Sequence, residues 1–154
     1  MRIVLQRVGE ASVDIDGRRV GQIKKGYVLL VGFEQGDHSG FLAPMIDKLL
    51  KIKLFSDDSG RFAYSLPEVN GAVLVVSQFT LFADLKKGKK PSLSKALLPD
   101  AANQLYEEFI SELKSNDIIV ESGEFGAYMQ VHIQNDGPVT IILDSKELFP
   151  ALYK

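Results

Sequence analysis

Apolar residues recur along this chain mainly in short runs, a pattern that favours strands over helices. Residues 2–8 and 11–16 have the character of strands, and Asp16-Gly17 is a hairpin signal that leads into residues 18–23. Residues 26–33 form an almost wholly apolar run, as expected of a buried strand. Further strands are predicted within residues 55–66, 117–122, 126–134 and 139–144.

Two segments place apolar residues at helical spacing instead. In residues 37–55 these are Leu42, Met45, Ile46, Leu49 and Leu50, and in residues 99–116 they are Leu105, Phe109, Ile110 and Leu113. Asp37 or Ser39 is the expected cap of the first helix, which tolerates Pro44 only in its first turn. Two main helices among strands linked largely by hairpins predict an α+β fold with largely antiparallel, barrel-like β-sheets, and argue against a doubly wound fold.

Composition narrows the class of protein. The 154 residues predict a single domain over 1–154, with residues 146–154 open to being a flexible C-terminal tail. A hydrophobic fraction of 45% and a charged fraction of 25% are ordinary for a soluble globular protein. No apolar stretch approaches the roughly 20 residues of a membrane span, and the amino terminus lacks the features of a signal peptide. With no cysteine there is no disulfide framework or thiolate chemistry, and the cytoplasm is the expected compartment.

Charge adds one local feature. The net charge of -2, from 20 acidic and 18 basic residues, does not indicate a nucleic-acid-binding protein. Residues 85–92 nevertheless concentrate four lysines around Gly88, namely Lys86, Lys87, Lys89 and Lys90. Such a flexible basic loop is either a solvated turn or a contact for phosphate groups.

Few residues have the chemistry of catalysis or metal binding. The two histidines are His38, in a predicted loop, and His132, at an outward position of a predicted strand. Neither belongs to a recognisable catalytic triad, and their spacing does not match a metal site. The sequence therefore predicts no metal and no cofactor.

Two stretches remain, and each has an ordinary explanation. Residues 75–84 form an apolar run interrupted by Ser77, Gln78 and Thr80, whose polar groups are either satisfied by neighbouring backbone or line a ligand pocket where the strand ends. Alternation along a strand would put Gln78 and Thr80 on one face, with backbone N–H groups left to serve a developing oxyanion. Residues 135–140, Asn-Asp-Gly-Pro-Val-Thr, suit a hairpin turn, and their Gly–Pro bond is compatible with a cis peptide.

Taken together, these stretches resemble the D-aminoacyl-tRNA deacylase family. Its two signatures, an SQFT-type motif and a Gly-Pro-Val-Thr motif, occur here at residues 77–80 and 137–140. The resemblance extends over nearly the whole chain, through residues 2–8, 29–37, 86–92 and 125–140. Leu93 departs from the phenylalanine that the family often has after Pro-Ser, and the residues after Asp144 extend beyond the end of many members.

The resemblance implies a cytoplasmic homodimer that binds aminoacylated tRNA at active sites in its subunit interface. Such enzymes hydrolyse the ester of D-aminoacyl-tRNA, and glycine mischarged on tRNA-Ala is implied as a second substrate. Ser77, Gln78, Phe79 and Thr80 match the pocket strand. Gly137 and Pro138 match a Gly–cis-Pro motif that enters the other subunit's pocket and excludes L-amino acids, and Met129 is expected to fix the orientation of that motif.

The resemblance leaves the role of Thr80 open. Thr80 is either a nucleophile or a residue that shapes the pocket, and the absence of an evident base favours assistance by the ribose 2′-hydroxyl of the tRNA. An RNA-binding module without chemistry would explain the lysines but not the polar strand. A structural homodimer would explain the Gly-Pro turn alone, and a synthetase-fused editing domain is disfavoured by the length of the chain.

Overall fold

The computed structural model describes residues 1–153. Its main sheet contains β1 (Arg2–Ile15), β2 (Arg18–Ile23), β3 (Gly26–Gly32), β6 (Ala72–Ser77), β7 (Ile119–Ser122) and β8 (Gln130–Asp144). A separate hairpin contains β4 (Lys53–Ser56) and β5 (Phe62–Ser65), and the helices are α1 (Leu42–Lys51), α2 (Pro99–Ser115) and α3 (Ser145–Leu148). None of the helices over residues 1–153 has the length and apolarity needed to cross a membrane.

The main sheet is mixed and curls into a nearly closed barrel. Its order is β2-β1-β3-β6-β7, and β8 also pairs with the long strand β1. β1 is antiparallel to β2, β3 and β8, whereas β3–β6 and β6–β7 are parallel. The edges approach each other so closely that a Cβ on Gly21 of β2 would lie 2.9 Å from the carbonyl oxygen of Ser122 in β7.

The α+β prediction is confirmed, but the expectation that hairpins link most strands is wrong for β3, β6 and β7. Each parallel pair needs a crossover connection. The first crossover contains α1 and the β4–β5 hairpin, and the second contains α2. Hydrophobic pattern identifies a strand and its buried face, but it does not specify which strand will be its neighbour.

The helices cover one face of the sheet, where the larger apolar core lies. Leu49 of α1 and Phe109 of α2 are fully buried there against strand residues such as Leu29 and Val75. The hydroxyl of Tyr106 donates a hydrogen bond of 2.9 Å to the carbonyl oxygen of Val75, which satisfies a buried polar group of α2. A second cluster, including Val8 and Val13, fills the other face.

The start and the end of α1 differ from expectation. Pro44 lies in its first turn, as predicted, but neither Asp37 nor Ser39 caps it. A 3-10 turn over Ser39–Phe41 precedes the helix, and the Nδ1 atom of His38 accepts a hydrogen bond of 3.1 Å from the N–H of Gly40. The helix ends at Lys51 because Ile52 is extended, and β4 follows.

The carboxyl-terminal residues have defined structure as far as Tyr153. α3 follows β8 directly, and a 3-10 turn spans Pro150–Tyr153. The ring of Tyr153 stacks on Phe41 with a centroid distance of 4.3 Å. Residues 145–153 therefore pack against the segment that leads into α1.

Candidate active site

The polar stretch at residues 77–80 lies at the end of a strand, and the prediction of a strand through residue 84 is wrong beyond Ser77. The N–H of Gln78 donates a hydrogen bond of 2.7 Å to the carbonyl oxygen of Val31, and the chain then turns. Phe79–Phe82 form a 3-10 turn, in which Phe79 is 56% exposed and Phe82 is buried. Strand alternation therefore does not apply to Gln78 and Thr80.

Arg2 holds this turn in place. Its Nη1 atom donates a hydrogen bond of 2.8 Å to the carbonyl oxygen of Leu81, and its guanidinium lies 4.9 Å from the centre of the Phe82 ring. The same guanidinium binds the carboxylate of Asp144 through Nε and Nη2, at 2.9 and 2.8 Å. The turn is thus tied to the adjacent ends of β1 and β8.

A cavity of about 420 Å³ opens beside the turn. It is lined by Val31 and Gly32 at the end of β3, by Phe33 directly after that strand, and by Ser77, Gln78 and Phe79. The remaining walls are mostly apolar and comprise Leu93, Ala96, Leu97, Leu98, Pro99, Ala102, Phe125, Gly126, Ala127 and Met129. The structure therefore brings Ser77, Gln78, Phe79 and Met129 around one cavity.

The lining has no group suited to acid–base catalysis. Ser77 and Gln78 supply the only polar side chains among the lining residues, and none of those residues is ionisable. Thr80 is exposed and does not line the cavity, and its hydroxyl accepts a hydrogen bond from the side-chain amide of Gln78. Among the described residues of one chain, none that lines this cavity can serve as a general base.

The wall over residues 93–98 is attached to the loop that follows β3. The N–H of Gln35 donates to the carbonyl oxygen of Lys95 at 2.9 Å, and the N–H of Leu97 donates to that of Phe33 at 3.0 Å. The side-chain amide of Gln35 donates to the carbonyl oxygen of Ser94 at 2.6 Å. The position of this wall therefore depends on the position of residues 33–35.

The second motif forms a bulge, and its interpretation as a hairpin turn is wrong. β8 continues through residues 135–140 and remains antiparallel to β1 on both sides. Gln6 pairs with Thr140 and Val8 pairs with Asn135, so residues 136–139 stand opposite Arg7 alone. An extra length of chain opposite one residue is displaced outward from the sheet.

Two side chains outside the predicted site residues, Arg7 and Asn135, fix the bulge. Arg7, 8% exposed, donates from Nε to the carbonyl oxygen of Asp136 at 2.9 Å and from Nη1 to that of Leu54 at 2.6 Å. The Oδ1 atom of Asn135 accepts a hydrogen bond of 2.8 Å from the N–H of Val139. The sequence signal for Arg7 was its place in an alternating strand, where it follows Ile3 and Leu5 on the buried face.

The bulge does not reach the cavity of its own chain. Gly137 and Pro138 are exposed, their peptide bond is cis, and neither residue lines the cavity. Within one chain, Gly137 and Pro138 are therefore not among the residues that line the cavity together with Met129 and residues 77–79. The role that the resemblance gives Met129 in orienting the bulge stays a prediction.

The lysine loop, residues 85–92, ends next to the cavity wall. Its four lysines are exposed, and main-chain hydrogen bonds between Asp84 and Ser92, of 2.8 and 2.9 Å, close its base. A hydrogen bond from the N–H of Lys86 and the nearby ammonium of Lys95 lower the pKa of Asp84. Leu93, the residue directly after the loop, lines the cavity.

The histidines lie outside the cavity lining. His132 is exposed on β8, as predicted, and its Nε2 atom lies 3.1 Å from a carboxylate oxygen of Asp14. His38 is exposed and serves as the turn cap described above.

Comparison with known proteins gives a consistent result. The family model described as D-Tyr-tRNA(Tyr) deacylase matches residues 4–144. A D-aminoacyl-tRNA deacylase from Thermosipho africanus is 45% identical over 149 residues, which cover 97% of this chain and 100% of the relative. One from Lactobacillus acidophilus is 49% identical over 144 residues, which cover 94% of this chain and 99% of the relative.

Two solved structures have a similar fold. The c-Myc DNA Unwinding Element Binding Protein is 40% identical, with a TM-score of 0.87 over 94% of this chain and 99% of its own. A probable eukaryotic D-amino acid tRNA deacylase has a TM-score of 0.81 over 93% of this chain and 98% of its own. The second is only 18% identical, so its similarity concerns the fold alone.

Proposed function

Because this chain belongs to the D-Tyr-tRNA(Tyr) deacylase family, we propose that it hydrolyses the ester of D-aminoacyl-tRNA and releases the free D-amino acid and tRNA. The observation that carries the proposal is the cavity beside Ser77, Gln78 and Phe79, which combines apolar walls with a few polar groups. The substrate occurs where translation takes place, so the proposed compartment is the cytoplasm.

The turn after β6 offers main-chain donors to the reacting ester. Phe79 and Thr80 are the first two residues of the 3-10 turn, and its first internal bond, of 3.3 Å, is donated by Leu81 to Gln78. The N–H groups of the first residues of such a turn have no carbonyl acceptor within it. In the proposal, one or both donate to the ester oxygen as it becomes negative during attack by water.

The attacking water needs a base, and the proposal assigns that role to the substrate. The vicinal 2′-hydroxyl of the terminal ribose lies beside an amino acid carried on the 3′-oxygen. It is therefore close enough to assist the water without a protein base. Thr80 then shapes the site through its hydrogen bond with Gln78.

The proposed rejection of L-aminoacyl-tRNA requires a second copy of the chain. The Asp136–Val139 bulge stands outside its own cavity and is held by Arg7 and Asn135. In a homodimer it would enter the partner's cavity, where its main-chain oxygens would occupy the space that an L side chain needs. A rigid steric clash discriminates between isomers whose attractive groups are identical.

Glycine has no side chain to meet that clash. Glycine mischarged on tRNA-Ala is therefore a proposed second substrate, whereas correctly charged L-aminoacyl-tRNA is not. Met129 lines the cavity. We propose that it contacts the bulge that enters from the partner.

The proposal is tested by deacylation of D-Tyr-tRNA and L-Tyr-tRNA at equal enzyme concentration. Release of free D-tyrosine with L-Tyr-tRNA essentially unchanged is the expected result. Equal rates for the two isomers would reject the chirality filter, and binding of charged tRNA without release of amino acid would reject the hydrolytic function.

A further inference from the structure

The C-terminal segment, residues 145–153, is joined by polar contacts to the loop after β3. The Nζ atom of Lys146 lies 2.8 Å from a carboxylate oxygen of Glu34. The hydroxyl of Tyr153 donates a hydrogen bond of 2.9 Å to Asp37 and also bonds the hydroxyl of Ser145. Two points of the C-terminal segment thus hold two acidic residues of one loop.

These acidic residues fix the conformation of that loop. The carboxylate of Asp37, 1% exposed, accepts a hydrogen bond of 2.7 Å from the N–H of Glu34 and lies 2.6 Å from the amine of Met1. Glu34 forms a β-bridge with Ala96, and its neighbours Phe33 and Gln35 bond the main chain of Leu97 and Lys95. Ala96 and Leu97 in turn line the cavity.

We propose that residues 145–153 are a positioning element of the active site, which sets how tightly the cavity holds the aminoacyl end of its substrate. Lys146 and Tyr153 restrain Glu34 and Asp37, and through them the wall at residues 93–98. The inference about substrate rests on the proposed function. The part of the inference that concerns only how the C-terminal segment restrains the wall does not depend on that function.

The contacts fit this role better than one of general stabilisation. Lys146 is about half exposed and Glu34 is 14% exposed, so their ion pair is partly screened by solvent. The same pair acts on a loop whose main chain bonds the cavity wall directly. Loss of this small restraint should therefore loosen the wall at residues 93–98 more than it lowers the free energy of global unfolding.

The test uses the full chain with Lys146→Ala combined with Tyr153→Phe, which keeps the aromatic stacking on Phe41 and the contact of Asp37 with Met1. The first measurement is amide hydrogen exchange at Gln35 and Leu97, the donors that attach the wall. The proposal expects exchange at both to rise about tenfold, since their opening becomes easier. The second measurement is deacylation of D-Tyr-tRNA, where KM is expected to rise about tenfold and kcat to stay within about twofold.

The matched control is Lys51→Ala, which breaks an exposed ion pair of 2.7 Å with Asp47 on α1. It should leave both readouts unchanged, and Lys146→Arg with Tyr153 intact should restore them. Unchanged exchange at Gln35 and Leu97 overturns the proposed restraint of the wall whatever the activity. Faster exchange with an unchanged KM overturns the link to substrate binding, and faster exchange in a protein that is inactive before mutation rejects the proposed function instead.

Discussion

At the scale of single residues, Thr80 separates two mechanisms. Thr80 is exposed and its hydroxyl accepts a hydrogen bond from Gln78, and among residues 1–153 no ionisable side chain lines the neighbouring cavity. A hydroxyl without a base is a weak nucleophile, so we expect Thr80→Ala to retain measurable turnover. Loss of an essential nucleophile costs on the order of a millionfold in kcat, a difference that single-turnover assays resolve easily.

The companion measurement replaces the 2′-hydroxyl of the terminal adenosine by hydrogen, with the amino acid fixed on the 3′-oxygen. We expect hydrolysis to be strongly suppressed while binding is largely kept. An inactive Thr80→Ala enzyme that still cleaves the deoxy substrate, or a trapped acyl-threonine, contradicts this mechanism.

Asp144 gives a prediction about acid stability. Burial alone would raise the pKa of this carboxyl, but the hydrogen bonds from Arg2 and from the N–H of Lys146 outweigh it and hold the pKa below its usual value. A depressed folded pKa adds stability above the unfolded value of about 3.9, and that stability is lost as the pH falls through the folded pKa. Asp144→Asn should lower the free energy of unfolding at pH 7 by about 2 kcal/mol and make the acid-induced loss shallower.

Urea unfolding between about pH 7 and pH 3 measures both effects. Asp47→Asn is the control, because Asp47 forms an exposed pair with Lys51 and should change stability by less than about 1 kcal/mol. If the two variants have parallel stability curves, Asp144 is not the source of the acid sensitivity.

At the scale of elements, the lysine loop can be substituted without changing a residue that lines the cavity beside it. Its four ammonium groups are exposed and project from a base closed by Asp84 and Ser92. Changing Lys86, Lys87, Lys89 and Lys90 to alanine should weaken tRNA binding and reduce the slope of log K against log salt by about 3, because fewer counterions are released. Filter binding across a salt series measures this slope.

The control changes four exposed lysines elsewhere, namely Lys48, Lys51, Lys53 and Lys114. It has the same change in net charge and should affect the slope much less. Equal slopes for the wild type and the loop variant would mean that the loop is only a solvated turn.

Strands and helices were predictable where their pattern is local. The Asp16-Gly17 hairpin and the periodic apolar face of α2 needed only sequence neighbours to be identified. The parallel neighbours of β6 were not predictable, because pairing depends on long-range packing. The end of β6 at Ser77 and the bulge opposite Arg7 were also missed, since an apolar run and a Gly-Pro sequence each fit several backbone paths.

At the scale of the whole molecule, the proposed action of one chain's bulge on the other chain's cavity can be tested. The proposed dimer places a bulge from one chain in the cavity of the other, so the two parts can be inactivated on separate chains. Ala127→Trp fills the cavity of one variant. Gly137→Ala alters the bulge of the other, because its φ of +139° disfavours a side chain and a Cβ would lie 3.2 Å from Nη2 of Arg7.

Alone, the cavity variant should be inactive and the bulge variant should cleave both isomers. Mixed dimers contain one intact cavity facing one intact bulge, so adding excess cavity variant should suppress cleavage of L-Tyr-tRNA and leave D-Tyr-tRNA cleavage. The control partner carries both substitutions and should not restore selectivity. Unchanged L-cleavage after verified subunit exchange would show that the bulge does not act between subunits.

The uncharged lining of the cavity also has a consequence for how rate depends on pH. Serine, glutamine and hydrocarbon side chains do not change their protonation state between about pH 5 and pH 9. A plot of log kcat against pH should therefore lack the two arms that an enzyme acid and base produce. Any inflection should follow the α-amino group of the bound amino acid, so that blocking this group on the substrate removes the inflection while every protein variant outside the cavity retains it.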